Sequence, residues 1–269
     1  MKKQIDEKRS VLYKMHDHFL HIAPKYRELR TTDLGPILFI TKKLGDLPNI
    51  RAADIGCGAG RYSLKFAEHL GEKCHLFCID NNREMLRHLK EHFGRNHVVN
   101  FTPIRSDSRR IPLKTDSLDC VISFNAIHHF SLHDFLREAS RVLKNNGKLF
   151  VYTRLQEQNA KTIWGMHFPS FHKKEDRLYE LDELKSAFEK DPNLNINAVK
   201  FFEHHRVFPL EKLVKQAKNH HYSTFKFYKK LEFKEALHKF VQNILNHYND
   251  LDKITWKDQN TLLVIENKQ

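Results

Sequence analysis

Long apolar runs are missing from this 269-residue chain, although 40% of its residues are hydrophobic. That content supports a packed core, while nothing approaches membrane-spanning length. Residues 1–8 lack the apolar stretch of a secretory signal, so a soluble cytoplasmic protein with no membrane partner is expected. Cysteine is scarce. The four residues Cys57, Cys74, Cys78 and Cys120 do not make a disulfide framework. Cys74 and Cys78 share one face of an expected strand, but the rest of a zinc set is lacking, so buried free thiols and no metal are expected. Internal repeats, low-complexity stretches and a long basic tail are also lacking. The formal net charge of +13 admits nucleic acid or an acidic substrate. Its basic pairs are short and scattered, Lys2-Lys3, Arg109-Arg110, Lys173-Lys174 and Lys229-Lys230, which suits a lysine-rich solvated surface equally well.

What the chain does have is the stretch Ala53-Asp54-Ile55-Gly56-Cys57-Gly58-Ala59-Gly60. A short strand over 50–53 leads into it. Leu64, Ala67 and Leu70 come next at helical spacing. Three glycines between strand and helix make a tight turn without side chains, on which a ligand can lie against backbone and helix N-terminus. The spacing is G-x-G-x-G, not the G-x-G-x-x-G of a dinucleotide fingerprint, and no Gly-Lys-Ser/Thr ending is present. A bound pyrophosphate or triphosphate is therefore disfavoured. Asp80 ends the next apolar run, 74–79, at a strand tip that suits a ribose diol. Asp54, beside the loop, suits a cation. Ribose, an ammonium group and no phosphate describe S-adenosylmethionine (SAM). In these residues the chain resembles the class I SAM-dependent methyltransferases, of the broad small-molecule and ubiquinone-pathway type.

Helices are expected over 10–29 and 34–44, and again after Asp80 with Asn81 or Asn82 as cap. Strands are expected over 98–104 and 118–124, the latter nearly all apolar as a central parallel strand should be. An amphipathic helix over 132–143, closed by Asn145-Asn146-Gly147, precedes a fifth strand over 148–153. The block from His128-His129 through Arg141-Val142-Leu143-Lys144 to Gly147-Lys148-Leu149 carries the second specific resemblance. Strands over 196–202 and 261–265 complete the sheet. The resemblance implies an α/β, Rossmann-like, seven-stranded, mostly parallel sheet with helices on both faces and an antiparallel last strand. The whole chain reads as one domain, with a helical lid from insertions after strands five and six, segments 154–195 and 209–256.

The same resemblance implies a set of site residues. Cofactor contacts are expected from Asp54, Gly56, Cys57, Gly58, Gly60, Asp80 and Asn81, and from Asn125 at the tip of the fourth strand. Met85 is the equivalent of a residue that can touch the adenine, or it is packing. Asp107 and the backbone of Ser108 correspond to the adenine-reading position; the alternative is an Asp turn ahead of Arg109. Tyr26, at the end of Phe19-Leu20-His21-Ile22-Ala23-Pro24-Lys25-Tyr26, corresponds to a tyrosine lying over the cofactor, or it is a core aromatic. Arg30 is a candidate for the methionine carboxylate. Trp164, His167, Phe168 and Tyr222 are candidates for a substrate pocket, against a packing role for each.

Methyl transfer is an in-line displacement in which positioning supplies much of the rate. His128 and His129 stand where a general base is needed if the nucleophile carries a proton, or they cap and pack. The segment after the fourth strand, Asn125-Ala126-Ile127-His128, lacks the Asn/Asp-Pro-Pro-aromatic pattern of exocyclic-amine methylation of bases. Cys120 lies mid-strand and is not placed for pyrimidine C5 chemistry. The leading expectation is a SAM-dependent methyltransferase acting on a small molecule and releasing S-adenosylhomocysteine. The alternatives are a tRNA wobble-uridine carboxymethyl methyltransferase and a non-catalytic SAM-binding protein.

Overall fold

The computed structural model describes residues 30–45 and 47–268. The expected first helix, with Tyr26, lies outside the described residues. The chain divides into two compact units. Among the described residues, one holds 32–155, Arg177–Phe202 and 259–268, and the other holds 30–31, Gln156–Asp176 and Glu203–Asp258.

The first unit is built on a seven-stranded sheet. Its strands are β1 (Ile50–Ile55), β2 (Cys74–Asp80), β3 (Phe101–Arg105), β4 (Leu118–Phe124), β5 (Leu143–Thr153), β6 (Leu194–Phe208) and β7 (Ile254–Asn267). Their order is β3-β2-β1-β4-β5-β7-β6. β1 pairs in parallel with β2 and β4, β2 with β3, and β4 with β5. β7 runs antiparallel to β5. The order reverses between β1 and β4, the place where ligands gather in open α/β sheets.

The strands alternate sides, as a pleated chain must. Ala52, Cys120, Ile122, Phe150, Leu262 and Val264 meet α1 (Leu34–Leu44), α2 (Arg61–Leu70) and α3 (Arg83–Arg95) through Ile37, Ile40, Leu64, Phe66, Leu89 and Phe93. Ala53, Ile55, Val121, Leu149, Val151 and Leu263 meet α4 (Leu132–Val142) and a helix at Leu181–Glu189 through Phe135, Ala139, Leu184 and Phe188. Both faces are covered, which is why these strands read as apolar throughout.

Several boundaries differ from expectation. α4 stops at Val142, and Leu143 already pairs with Leu118 as the first residue of β5. Asn145-Asn146-Gly147 therefore does not close the helix. The carbonyls at its end are met by the buried Asn267, whose Nδ2 donates to Ser140 O, Leu143 O and Lys144 O at 3.2, 3.1 and 3.3 Å. β3 is shorter than expected at its start, while β6 and β7 extend well beyond 196–202 and 261–265.

The second unit carries α5 (Gln156–Ala160), α6 (Ile163–His167), α7 (Phe171–Lys174), α9 (Leu210–Lys218) and α10 (Lys230–His247), the Leu181–Glu189 helix being α8 of the sheet unit. Its core is aromatic: Trp164 stacks on Phe240 with centroids 5.0 Å apart, and Phe168, Phe171 and Phe225 close around them. Of the two expected lid segments, the part around α8 belongs to the sheet unit and packs Leu184 and Phe188 into its core. Among the described residues no helix is long and apolar enough to cross a membrane.

Candidate cofactor site

β1 ends on Asp54 and Ile55 and turns through Gly56–Gly60 into α2. Gly56, Gly58 and Gly60 all have positive φ, +74°, +55° and +79°. The sequence suggests one reason for all three; the structure separates them. A Cβ on Gly56 would lie 2.6 Å from Ala126 Cβ and 2.8 Å from Phe130 Cζ. One on Gly60 would lie 2.9 Å from Leu89 Cγ. These two glycines admit neighbouring protein. A Cβ on Gly58 would meet nothing within 4 Å among the described residues, so of the three glycines it is Gly58 that presents bare backbone. The loop is pinned across the end of β2, with Gly56 N and Cys57 N both donating to Ile79 O at 2.8 and 3.2 Å.

Asp80 lies at the tip of β2, against the loop. Its Oδ2 accepts from Gly58 N at 2.9 Å and its Oδ1 from Asn82 N at 2.8 Å. Asn82 in turn caps α3, its Oδ1 accepting from Glu84 N and Met85 N at 2.9 and 3.1 Å. Of the two expected cap residues it is therefore Asn82 that serves, while Asn81 is exposed and offers its carbonyl to Arg105 Nε at 3.2 Å. Met85 is buried. Burial pushes the Asp80 carboxyl up, and the two backbone N–H donors pull it back.

Asp54 is 1% exposed. Its Oδ2 accepts from Ser63 Oγ at 2.6 Å, while its Oδ1 is buried without a hydrogen-bond partner among the described residues. Burial pushes this carboxyl up to about 7; the Ser63 bond opposes the shift and nearby Asp80 adds to it. A buried acceptor without a donor is costly, and a cationic or N–H-bearing ligand is the group that would satisfy it. Ser63, in the first turn of α2, is not among the residues singled out from sequence. Its position nine residues after Asp54 is explained only by the turn between them.

The adenine-side expectation meets a competitor. Arg109 grips Asp107, donating from its backbone N, Nε and Nη2 at 2.9, 3.0 and 2.9 Å and holding the carboxyl below the usual range. Ser108 lies in the same turn, half-buried. At the tip of β4, Asn125 adopts φ +53°. His128 and His129 sit in the 3-10 turn Ile127–His129, their ring centroids 4.1 Å apart, with Arg177 Nη1 3.5 Å from His129 Nδ1.

The remaining candidates belong to the helical unit. Arg30 donates from Nε and Nη2 to His221 O at 2.9 and 2.7 Å and lies 4.2 Å over the Tyr222 ring. Trp164 and Phe168 are 3% and 1% exposed and pack in the aromatic core with Phe171, Phe225 and Phe240. His167 rests against His247 and Tyr248, centroids 4.9 and 5.7 Å away, and burial pushes its pKa down.

Residues 52–147 match the family described as Methyltransferase domain. The chain is 30% identical over 153 residues to the ubiquinone/menaquinone biosynthesis C-methyltransferase UbiE of Vibrio cholerae, a match covering 54% of this chain and 58% of that protein. It is 31% identical over 116 residues to an uncharacterised chloroplastic methyltransferase of Arabidopsis thaliana, covering 41% of this chain and 32% of that one. The chain thus spans a third to just over half of the length of these relatives. Its fold is similar to that of the YcgJ protein of Bacillus subtilis, with TM-score 0.60, 19% identity, and coverage of 88% of this chain and 99% of that one. Over residues 52–147 the chain is thus similar to a methyltransferase domain.

Proposed function

We propose that this protein transfers the methyl group of SAM to a small-molecule acceptor. The observation that carries the reading is the set of three features around the turn after β1: the open face of Gly58, the Asp80 carboxyl fixed to its N–H, and the Asp54 Oδ1 left without a partner among the described residues. The residues fit the cofactor. Each Asp80 oxygen keeps a lone pair for a ribose hydroxyl after its backbone bond. Asp54 faces inward with an oxygen suited to an ammonium group. Asp107 retains acceptor capacity for an exocyclic amine beyond its Arg109 bonds. When bound, SAM supplies an electrophilic methyl on a good leaving group. The protein then has to orient the acceptor and exclude water. His128 and His129, at the tip of β4, are the groups we assign to removing a proton from an acceptor that has one to lose. His167 and Tyr222 remain the candidates for acceptor contact.

The name of the Vibrio relatives, a C-methyltransferase of quinone biosynthesis, supports a small-molecule acceptor. Four free cysteines support a cytoplasmic setting. Calorimetry with SAM and with S-adenosylhomocysteine tests the reading. Saturable binding of both is expected, and absence of binding to either refutes it.

A further inference from the structure

Asn125 closes β4 in the left-handed region, φ +53°. A non-glycine residue there carries a backbone cost and persists only with support from around it. Two bonds give that support. Its N–H donates to Tyr152 O at 2.7 Å, and its Oδ1 accepts from Asn260 Nδ2 at 3.1 Å. Asn260 belongs to β7, 135 residues away, and is 4% exposed. The other end of its amide, Oδ1, accepts from Arg154 Nη2 at 3.5 Å, so both ends of the side chain are oriented.

The conformation of Asn125 sets the direction in which the chain leaves β4, and that segment carries Ala126 and Phe130. These are the two residues a Cβ on Gly56 would strike, at 2.6 and 2.8 Å. The glycine loop therefore rests directly on the segment that leaves β4. We infer that Asn260 is a positioning residue for the glycine loop. It holds Asn125 left-handed and so, through Ala126 and Phe130, fixes the wall that keeps Gly56–Gly60 in the shape presenting Gly58. The inference rests on the proposed reading that SAM is the ligand of this loop.

The test is a double-mutant cycle. Asn260→Ala is expected to weaken SAM binding by about tenfold in calorimetry, the size of an unsupported left-handed residue. Glycine adopts positive φ unaided, so in an Asn125→Gly background the same Asn260→Ala change should cost less than about twofold. Equal losses in both backgrounds, or none in the first, overturn the inference. Amide exchange in the ligand-free protein gives a second readout. His129 N and Phe130 N donate to Ala126 O and Ile127 O. Faster exchange at these two in Asn260→Ala, with β1 and β2 unchanged, supports the inference, and unchanged or uniformly faster exchange overturns it. A parent protein that binds no SAM refutes the proposed function instead, and the exchange experiment then decides the inference alone.

Discussion

Ser63 donates to Asp54 Oδ2 at 2.6 Å, and none of the described residues donates to the other oxygen of the same carboxyl. One oxygen of this buried acid is settled by the protein, and the other is the one proposed to meet the cofactor. The consequences are measurable, beginning with pH.

The Asp54 carboxyl is pushed up to about 7, well above its value of 3.8 in an unfolded chain. Between these values the folded state keeps a proton that the unfolded state has lost. Stability of the ligand-free protein should therefore fall as pH rises from about 4 to about 7 and level off above, by at most about 4 kcal/mol. Asp54→Asn should flatten this slope in denaturant titrations at several pH values. A cationic ligand prefers the ionised acid, so SAM affinity of the parent should rise across the same window, and that rise should vanish in Asp54→Asn.

Gly56 and Gly58 should separate folding from binding. Gly56→Ala forces a Cβ to within 2.6 Å of Ala126 Cβ and should destabilise the fold by about 1–3 kcal/mol or more. Gly58→Val meets no neighbour but strains a backbone at φ +55°, so it should cost about 1–3 kcal/mol through the backbone alone and less than a change that also clashes, while SAM binding is abolished. Thermal unfolding and calorimetry on both variants would show this crossed pattern. Equal effects in both assays would contradict it.

Asp80→Ala removes the acceptor from Gly58 N and the proposed ribose contact together. SAM binding should weaken by about 1–3 kcal/mol. Asp80→Asn should be intermediate, since an amide oxygen can still accept from one of the two backbone donors. Titration calorimetry of the series checks the order.

Asn267 closes α4 from the far end of the chain. Asn267→Ala should cost about 1–3 kcal/mol of stability, the penalty for leaving buried carbonyls without a donor. SAM affinity should be unchanged. Denaturant midpoints with and without saturating SAM would test both halves.

Much of the site was legible because its signals are local. Asp54, the three glycines and Asp80 each sit at a strand end or turn whose backbone demands show in the residue type. Trp164 and Phe168 were ambiguous for the opposite reason: an aromatic side chain reads the same whether it lines a pocket or fills a core, and only burial against Phe240 and its neighbours distinguishes the two. The end of α4 misled because Asn145-Asn146-Gly147 is good stop chemistry, whereas the donor that meets its carbonyls arrives from β7.

The order of residues alone determined the alternation of strands and helices, the turn after β1 and the acids on either side of it, since backbone conformation and hydrophobic periodicity are properties of neighbours in the chain. Tertiary structure alone decided which glycine faces open space, how far Asp54 is driven from its ordinary pKa and what holds Asn125 left-handed. Those depend on distances between groups up to 135 residues apart, and such distances exist only once the sheet has assembled.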